Sequence, residues 1–598
     1  LISSCDGKSS FVLKRYFWIR KPVAIAVLLL GAGLCVHAQT PVAGTARTPD
    51  ALPVVMQAMS SELDRAMTDL GHSQGAKPTP KPYFMSYSVT DDESVFLSAE
   101  YGAMVRTDQT HSRTADVQIR VGSPALDNTH GDHRPSALTS MGLPLGDDKE
   151  AMERSLWFVT NRGYGKAVDA FEKVLAEEKV RAKEEDTSGD FASEPPQQDV
   201  LPSYPALAVD KAAWEARLRE ISGVFRKYPN IDDDTVILQA ENETEYFVSS
   251  GGSHIAAPHE VARLIVVART RAADGMDLFR EETFEADKAG NLPGQAEVLK
   301  KTIVMADGLD ALRMAPVATP YDGPAILSGR AAAVFFHEVL GHRLEGQRQR
   351  GDEEGQTFTK MLGKDILPTF LTVVDDPTLT EMDGQTLSGH YLFDDEGQPA
   401  KRVELVDDGV LKTFLMSREP VKNAQESNGH GRAQTGLMPT GRQGNLIVTS
   451  TKTVSDAKLR EMLKEEAKKQ GKAYGLYFAD ISSGFAVTMR NNPQAFQVIP
   501  LVVYRVYVDG RPDELVRGVS IVGTPQAALK SIVATDDHEE IFNGECGAES
   551  GTIPVSAVAP AMLVRSIETQ KKGQGTARPP LVPPPPVDDA TAAQKGGQ

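Results

Sequence analysis

The chain has 598 residues, long enough for two or three domains with well-buried cores. Its apolar (40%) and charged (24%) fractions are those of a soluble globular protein and exclude a fibrous or wholly disordered chain. A net charge of −18 argues against nucleic acid or an anionic membrane surface as partner and leaves a peptide substrate open.

The first segment reads as an export signal. Lys14, Arg15, Arg20 and Lys21 form a basic stretch before an apolar run over residues 22–36, which is shorter than the ~20 residues of a membrane span. Val36 and Ala38 place small residues where a signal peptidase reads them, so cleavage is expected before Gln39. Residues 1–38 are then a signal peptide, and the product is periplasmic or secreted with no stable membrane anchor. Cys35 is not expected to carry a lipid, because the bulky Leu34 precedes it. The alternative is a retained anchor helix. No Met occurs before Met56, and the first residues are expected to lie upstream of the translation start. Removing 1–38 takes away five Lys/Arg and one Asp, which leaves about −22. Cys5 and Cys35 leave with the leader, so Cys546 stands alone, either buried and inert or chemically employed.

Residues 39–50 read as a disordered lead-in. Helical apolar spacing predicts a helix over 51–70, stopped by Gly71 and the Pro-rich stretch 77–82. Strands are predicted over 83–122, then a Gly/Pro/Asp/His loop at 123–148. Helices follow at 150–184 and 209–227 across a polar linker at 185–205, strands over 234–270 around Ser249-Ser250-Gly251-Gly252, and a helix over about 293–313. Together, 39–312 predict an α+β N-terminal domain. A short strand Ala325-Ile326-Leu327 leads to Ser328, a good N-cap, and a further helix. From 370 to 525 strands dominate, with hairpin signals at Asp395-Glu396-Gly397, Asp407-Asp408-Gly409 and Asp509-Gly510 and one helix at 454–470. The predicted fold class is α+β: a mixed N-terminal domain, then a mainly β C-terminal domain over 313–572 carrying one metal-binding helix. The tail 573–598 is Pro-rich and predicted disordered.

The helix after Ser328 carries His337-Glu338-Val339-Leu340-Gly341-His342. Two imidazoles flanking a carboxylate suit a catalytic Zn²⁺: the rings are neutral ligands, and the carboxylate can take a proton from metal-bound water. Zinc helices usually space their histidines four apart, about 40° round the helix, whereas five apart is about 140°. Either the helix carries a π-bulge, or it ends near Gly341 and His342 swings back. The apolar run Ala331–Phe336 places His337 near a core, where a His-Glu-His cluster needs a partner to offset its desolvation. Glu345, three residues on, is open to three readings: carboxylate ligand, acceptor for a ring N–H, or surface residue.

The sequence here resembles the TldD/PmbA metallopeptidases, whose metal helix carries His-Glu-x-x-x-His and then x-x-Glu-Gly. The matching residues are His337, Glu338, His342, Glu345 and Gly346. The family's cysteine followed by glycine matches Cys546-Gly547, before Gly551-Thr552-Ile553-Pro554-Val555. Phe393–Gly397 with Asp408–Lys412 is similar to the family's strand pair, and Gly429-His430-Gly431-Arg432 with Arg442-Gln443-Gly444-Asn445 to its loop. The likeness is good over about 310–570 and weak before 230.

The resemblance implies Zn²⁺ held by His337, His342 and Cys546, with Glu338 as general base, and cleavage of flexible peptides in a chamber formed by two subunits. A homodimer or a heterodimer with a paralogue is therefore expected. A zinc amidase acting on a non-peptide substrate and a non-catalytic scaffold subunit are the alternatives. His430 either stabilises an oxyanion from its Gly-rich loop or is merely exposed. Other signals point to no site. Gly71–Gly75 fits a serine-hydrolase elbow at Ser73 but lacks the strand before it and the helix after it. His130 and His133 read as a solvated loop, and Asp232–Asp234 as a solvated turn.

Overall fold

The computed structural model describes residues 52–72, 79–180, 185–351, 354–490 and 495–572, with Pro580 and Val582. The expected leader, Ser73 and nearly all of the Pro-rich tail lie outside the described residues.

The N-terminal half is built on five long strands: β1 (Pro82–Glu100), β2 (Ala103–Ser123), β3 (Asp233–Ser249), β4 (His254–Arg271) and β5 (Asp277–Ala286). They pair antiparallel in the order β2-β1-β3-β4-β5, and short strands complete an eight-stranded sheet. Side chains alternate across a strand, so this sheet has two unlike faces. Met85, Tyr87 and Val89 on β1 and Val236, Leu238 and Ala240 on β3 are buried in apolar clusters. Four helices cover that face: α1 (Val54–Asp69), α2 (Lys149–Glu177), α3 (Lys211–Gly223) and α4 (Gln295–Met314). Asp148 and Asp210 cap α2 and α3 by accepting the N–H of Ala151 and Ala213. The opposite face is polar, with Ser86, Ser88 and Thr90 on β1 and Glu241, Glu243 and Glu245 on β3, and it turns toward the C-terminal half. Thr90 meets Thr435 there at 3.1 Å.

The C-terminal half is a twelve-stranded sheet. Its main members are β6 (Tyr321–Leu327), β7 (Leu371–Asp375), β8 (Asn445–Ser450), β9 (Tyr474–Ala486), β10 (Phe496–Tyr507), β11 (Val519–Gly523), β12 (Ile532–Ala548) and β13 (Gly551–Lys571). Pairings run β13-β11-β10-β9-β6 and return from β6 to β13, closing a ring of five strands. Helix α5 (Gly329–Val339) packs on β13, β9, β12 and β10, and all its residues are buried. Such a helix must be apolar nearly all round, which is the pattern of residues 331–336. Helix α6 (Asp456–Lys469) covers the outside through Leu459 and Leu463. Among the described residues, no helix is long and apolar enough to cross a membrane.

The fold is α+β as expected, with differences in detail. The long hairpin β12–β13 is absent from the sequence reading, although it carries Cys546. Much of 376–440 is irregular: Asp395-Glu396-Gly397 forms a turn but joins no strand pair. Asp394 holds that turn by accepting the N–H groups of Glu396, Gln398 and Gly431, so side chain replaces sheet as the backbone's partner. Asp407-Asp408-Gly409 does join two strands, Val403–Asp407 and Val410–Leu411.

Candidate metal centre

Strand β6 delivers the chain into α5. Ser328 caps the helix by accepting the Ala331 N–H at 3.2 Å, and its own N–H donates to the Phe478 carbonyl on β9. The helix ends at Val339, Leu340 is its C-cap, and Gly341–Leu344 form a 3₁₀ turn. That ending resolves the five-residue spacing. The tighter turn brings His342 back beside His337, with ring centroids 4.9 Å apart. Gly341 is required by a close approach: a Cβ there would lie 1.8 Å from Gln443 Oε1.

Cys546 arrives from β12. Its Sγ lies 3.2 Å from His337 Nε2 and 3.4 Å from His342 Nε2, and the three donor atoms all lie within 4.8 Å of one another. Zn–N and Zn–S bonds at tetrahedral angles separate N and S by roughly 3.5 Å, so one ion can reach all three atoms. Burial lowers the basicity of His342, but Cys546 and Glu345 outweigh it and hold the ring well above its usual pKa. Burial likewise raises the Cys546 thiol, yet the two imidazoles outweigh burial and draw it well below the usual thiol range. The set is thus electrostatically arranged to present a thiolate.

Glu338 is 7% exposed, and burial raises its pKa against the pull of both imidazoles. Its Oε2 lies 3.8 Å from His342 Nε2 and, among the described residues, has no hydrogen-bond partner. A buried carboxylate oxygen without a partner is costly, and a water on a metal beside it would satisfy it. Together with the thiolate donor, this oxygen makes the residues fit a three-ligand zinc site with a water position.

Glu345 is fully buried. Its Oε1 accepts from His342 Nδ1 at 2.9 Å and its Oε2 from Arg348 Nε at 2.7 Å. Burial pushes its pKa up, but His342, Arg348 and Arg442 outweigh burial and hold it at about 2. Of the three readings, Glu345 is the acceptor that fixes the His342 ring and leaves Nε2 facing the site.

Three contributors were missed in the sequence. Arg442, with no exposed surface, donates to the Cys546 carbonyl at 2.7 Å and to Ser550 Oγ at 2.8 Å, and its Nε lies 3.6 Å from Glu345 Oε1. Arg348 also binds Glu354, Thr488 and Glu549. Gly484 on β9 leaves room for Glu338, whose Cγ would be 2.5 Å from a Cβ there. Arg442 was visible only as part of a loop motif, and nothing local marks the other two.

His430 corrects the exposed reading given to it. It is fully buried, neither exposed nor in the donor set, with Nε2 3.3 Å from Asp375 Oδ1 and Nδ1 beside Asn428. Its carbonyl accepts the Arg442 N–H at 2.9 Å, so it helps hold the loop that carries Arg442. His130 and His133 also differ from a solvated loop: they are half-buried against Asp190 and Glu177. Asp234 is buried and accepts the Tyr101 N–H, unlike its exposed neighbour Asp232.

Residues 320–571 match the family model described as PmbA/TldA metallopeptidase C-terminal domain. These residues belong to the TldD/PmbA family. Among curated TldD/PmbA relatives, a metalloprotease of Archaeoglobus fulgidus is 30% identical over 243 residues, 40% of this chain and 51% of that protein. A zinc metalloprotease TldD homolog of Saccharolobus solfataricus is 27% identical over 256 residues, 42% of this chain and 52% of that protein. The chain spans about half the length of the curated relatives it matches. The solved structure of TldE from Thermococcus kodakarensis aligns with a TM-score of 0.55 over 86% of this chain and 100% of that one, at 13% identity, and shows the fold alone.

Proposed function

We propose that this TldD/PmbA chain is a zinc-dependent peptidase acting on flexible peptides. The observation that carries the reading is the meeting of His337 Nε2, His342 Nε2 and Cys546 Sγ within 4.8 Å beside the orphaned Glu338 Oε2. His337 and Cys546 reach the site from a helix and a strand 209 residues apart in sequence. Such a convergence of two imidazoles and a thiol has few purely structural uses.

Zinc bound there supplies a Lewis acid that polarises a carbonyl and lowers the pKa of a water. The chain's own residues do the rest. Glu345 holds the proton on His342 Nδ1 and so keeps Nε2 free to bind. Arg442 ties the Cys546 backbone to the same carboxylate. Glu338 Oε2 accepts the proton of the attacking water and returns it to the leaving amine. The burial of Glu338 raises its basicity toward that task.

Elemental analysis of purified protein should find about one zinc per chain, and Cys546→Ala should lose it, because three protein donors leave none spare. Full occupancy in Cys546→Ala would remove the thiolate from the site. Hydrolysis of a peptide library, followed by product mass with and without chelator, separates a peptidase from an amidase or a silent scaffold. Chelator-insensitive hydrolysis, or none with zinc bound, would overturn the reading. Export with cleavage before Gln39 belongs to the same proposal, as does a dimeric assembly. N-terminal sequencing of native protein and light scattering test them.

A further inference from the structure

The C-terminal end of α5 leaves carbonyls with no partner inside the helix. Gln443 Nε2 reaches that of His337 at 3.4 Å. The next two are met by a side chain from the 3₁₀ turn that follows. Arg343, 2% exposed, donates from Nη1 to the Glu338 carbonyl at 2.8 Å and to the Val339 carbonyl at 3.3 Å. A cation there also suits the negative end of the helix dipole.

The other arm of the same guanidinium reaches a different segment. Nη2 donates to the Val487 carbonyl at 3.2 Å and to the Ala495 carbonyl at 3.1 Å. These residues extend the pairing of β9 with β10: Ala486 stands opposite Phe496, and the Val487 N–H donates to the Ala495 carbonyl. Three residues before Val487 is Gly484, where a Cβ would lie 2.5 Å from Glu338 Cγ and 3.1 Å from its Cδ. One guanidinium thus holds both the backbone of Glu338 and the strand against which its side chain packs. Among the described residues, all four acceptors of this side chain are carbonyls. Burying a cation with no carboxylate to accept from it is costly, and a neutral side chain would cap the helix at lower cost. A planar fork, in contrast, serves two pairs of carbonyls on two segments at once.

We infer that Arg343 is a positioning residue: by tying the end of α5 to the β9–β10 hairpin, it sets where the Glu338 carboxylate stands beside the metal donors. The inference rests on the peptidase reading for the task of Glu338. One arm of its test needs no turnover, so the two can fail separately.

Arg343→Lys is made in the full chain. Its ammonium can serve the carbonyls at the helix end but not those of the hairpin as well. Zinc should stay at about one per chain, because all three donors remain. The substrate is the library peptide that the unsubstituted chain cleaves fastest, made in a quenched fluorogenic form. On it, kcat should fall about 10–100-fold with KM little changed, the mark of a misplaced reacting group. In the Glu338→Gln background the same substitution should cost nothing further, since the group it positions is gone. Equal losses in both backgrounds, a rise in KM alone, or loss of zinc from Arg343→Lys would overturn the inference. The arm without turnover is urea unfolding of Gly484→Ala. While the hairpin is tied, the added methyl presses on Glu338 and should lower the midpoint. In Arg343→Lys the hairpin can yield, and the drop should be smaller. Equal drops overturn the tie whatever the activity. Coupled drops in a zinc-loaded chain that hydrolyses nothing sink the peptidase reading alone.

Discussion

At the residue scale, the site depends on groups behind the donors as much as on the donors themselves. Glu338 Oε2 accepts no hydrogen bond among the described residues and approaches only His342, at 3.8 Å, so Glu338→Gln should keep the metal and leave the fold intact. Turnover should drop by about 10²–10⁴, the usual cost of losing a general base. Near-normal turnover at full metal content would place water activation elsewhere. Arg442 makes a different kind of contribution. It binds the Cys546 carbonyl and Ser550 and approaches Glu345, so it links the strand that brings the thiol to the acceptor behind His342. Arg442→Met should weaken zinc affinity about 10–100-fold, as loss of outer support does elsewhere. Chelator competition reads this directly, and an unchanged affinity would restrict Arg442 to folding.

At the element scale, the decisive feature is how α5 ends. A helix continued past Val339 would turn His342 away from His337. The 3₁₀ turn prevents this, and glycine at its first position leaves room for Gln443. Gly341→Ala should cost about 1–3 kcal/mol, the usual range for overpacking a filled interior. Gln443→Ala added to it should restore much of that loss, measured as a coupling energy in urea unfolding. Independent, additive effects would mean that Gly341 is needed for its backbone and not for the close approach.

At the scale of the whole molecule, the two halves meet through polar surfaces. Burial lifts Glu281 on β5 to about 8, despite the opposing pull of Arg330. Burial lifts Glu282 to about 7, and Asp480 adds to the rise. Arg280 reaches Asp480 across the same boundary at 3.8 Å. In the folded protein these glutamates hold protons that the unfolded chain has released above its ordinary value of 4.5. The folded state therefore binds more protons over that window, and stability falls as pH rises from about 4.5 toward 8. Glu281→Gln should flatten much of that decline in urea unfolding between pH 5 and 8.5 (roughly the window's ends). An identical decline in the variant would assign the pH dependence to other groups.

Much of this molecule was legible in its sequence because local rules and tertiary packing agree. The alternation of β1 and β3, the cap at Ser328 and the apolar run before His337 each specify both an element and its buried face. The residues that meet at the centre could be named because the His337–Gly346 motif and the Cys546-Gly547 pair together resemble the family's pattern, with chemistry that suits a metal. Other features followed from contacts between distant segments. The turn that pairs His342 with His337 carries a glycine because Gln443, about a hundred residues away, packs against it. His430 is buried beside Asp375, and Glu338 packs over the bare Cα of Gly484. Periodicity reports which way a side chain faces within its own element, but only the packed structure determines what waits on the other side.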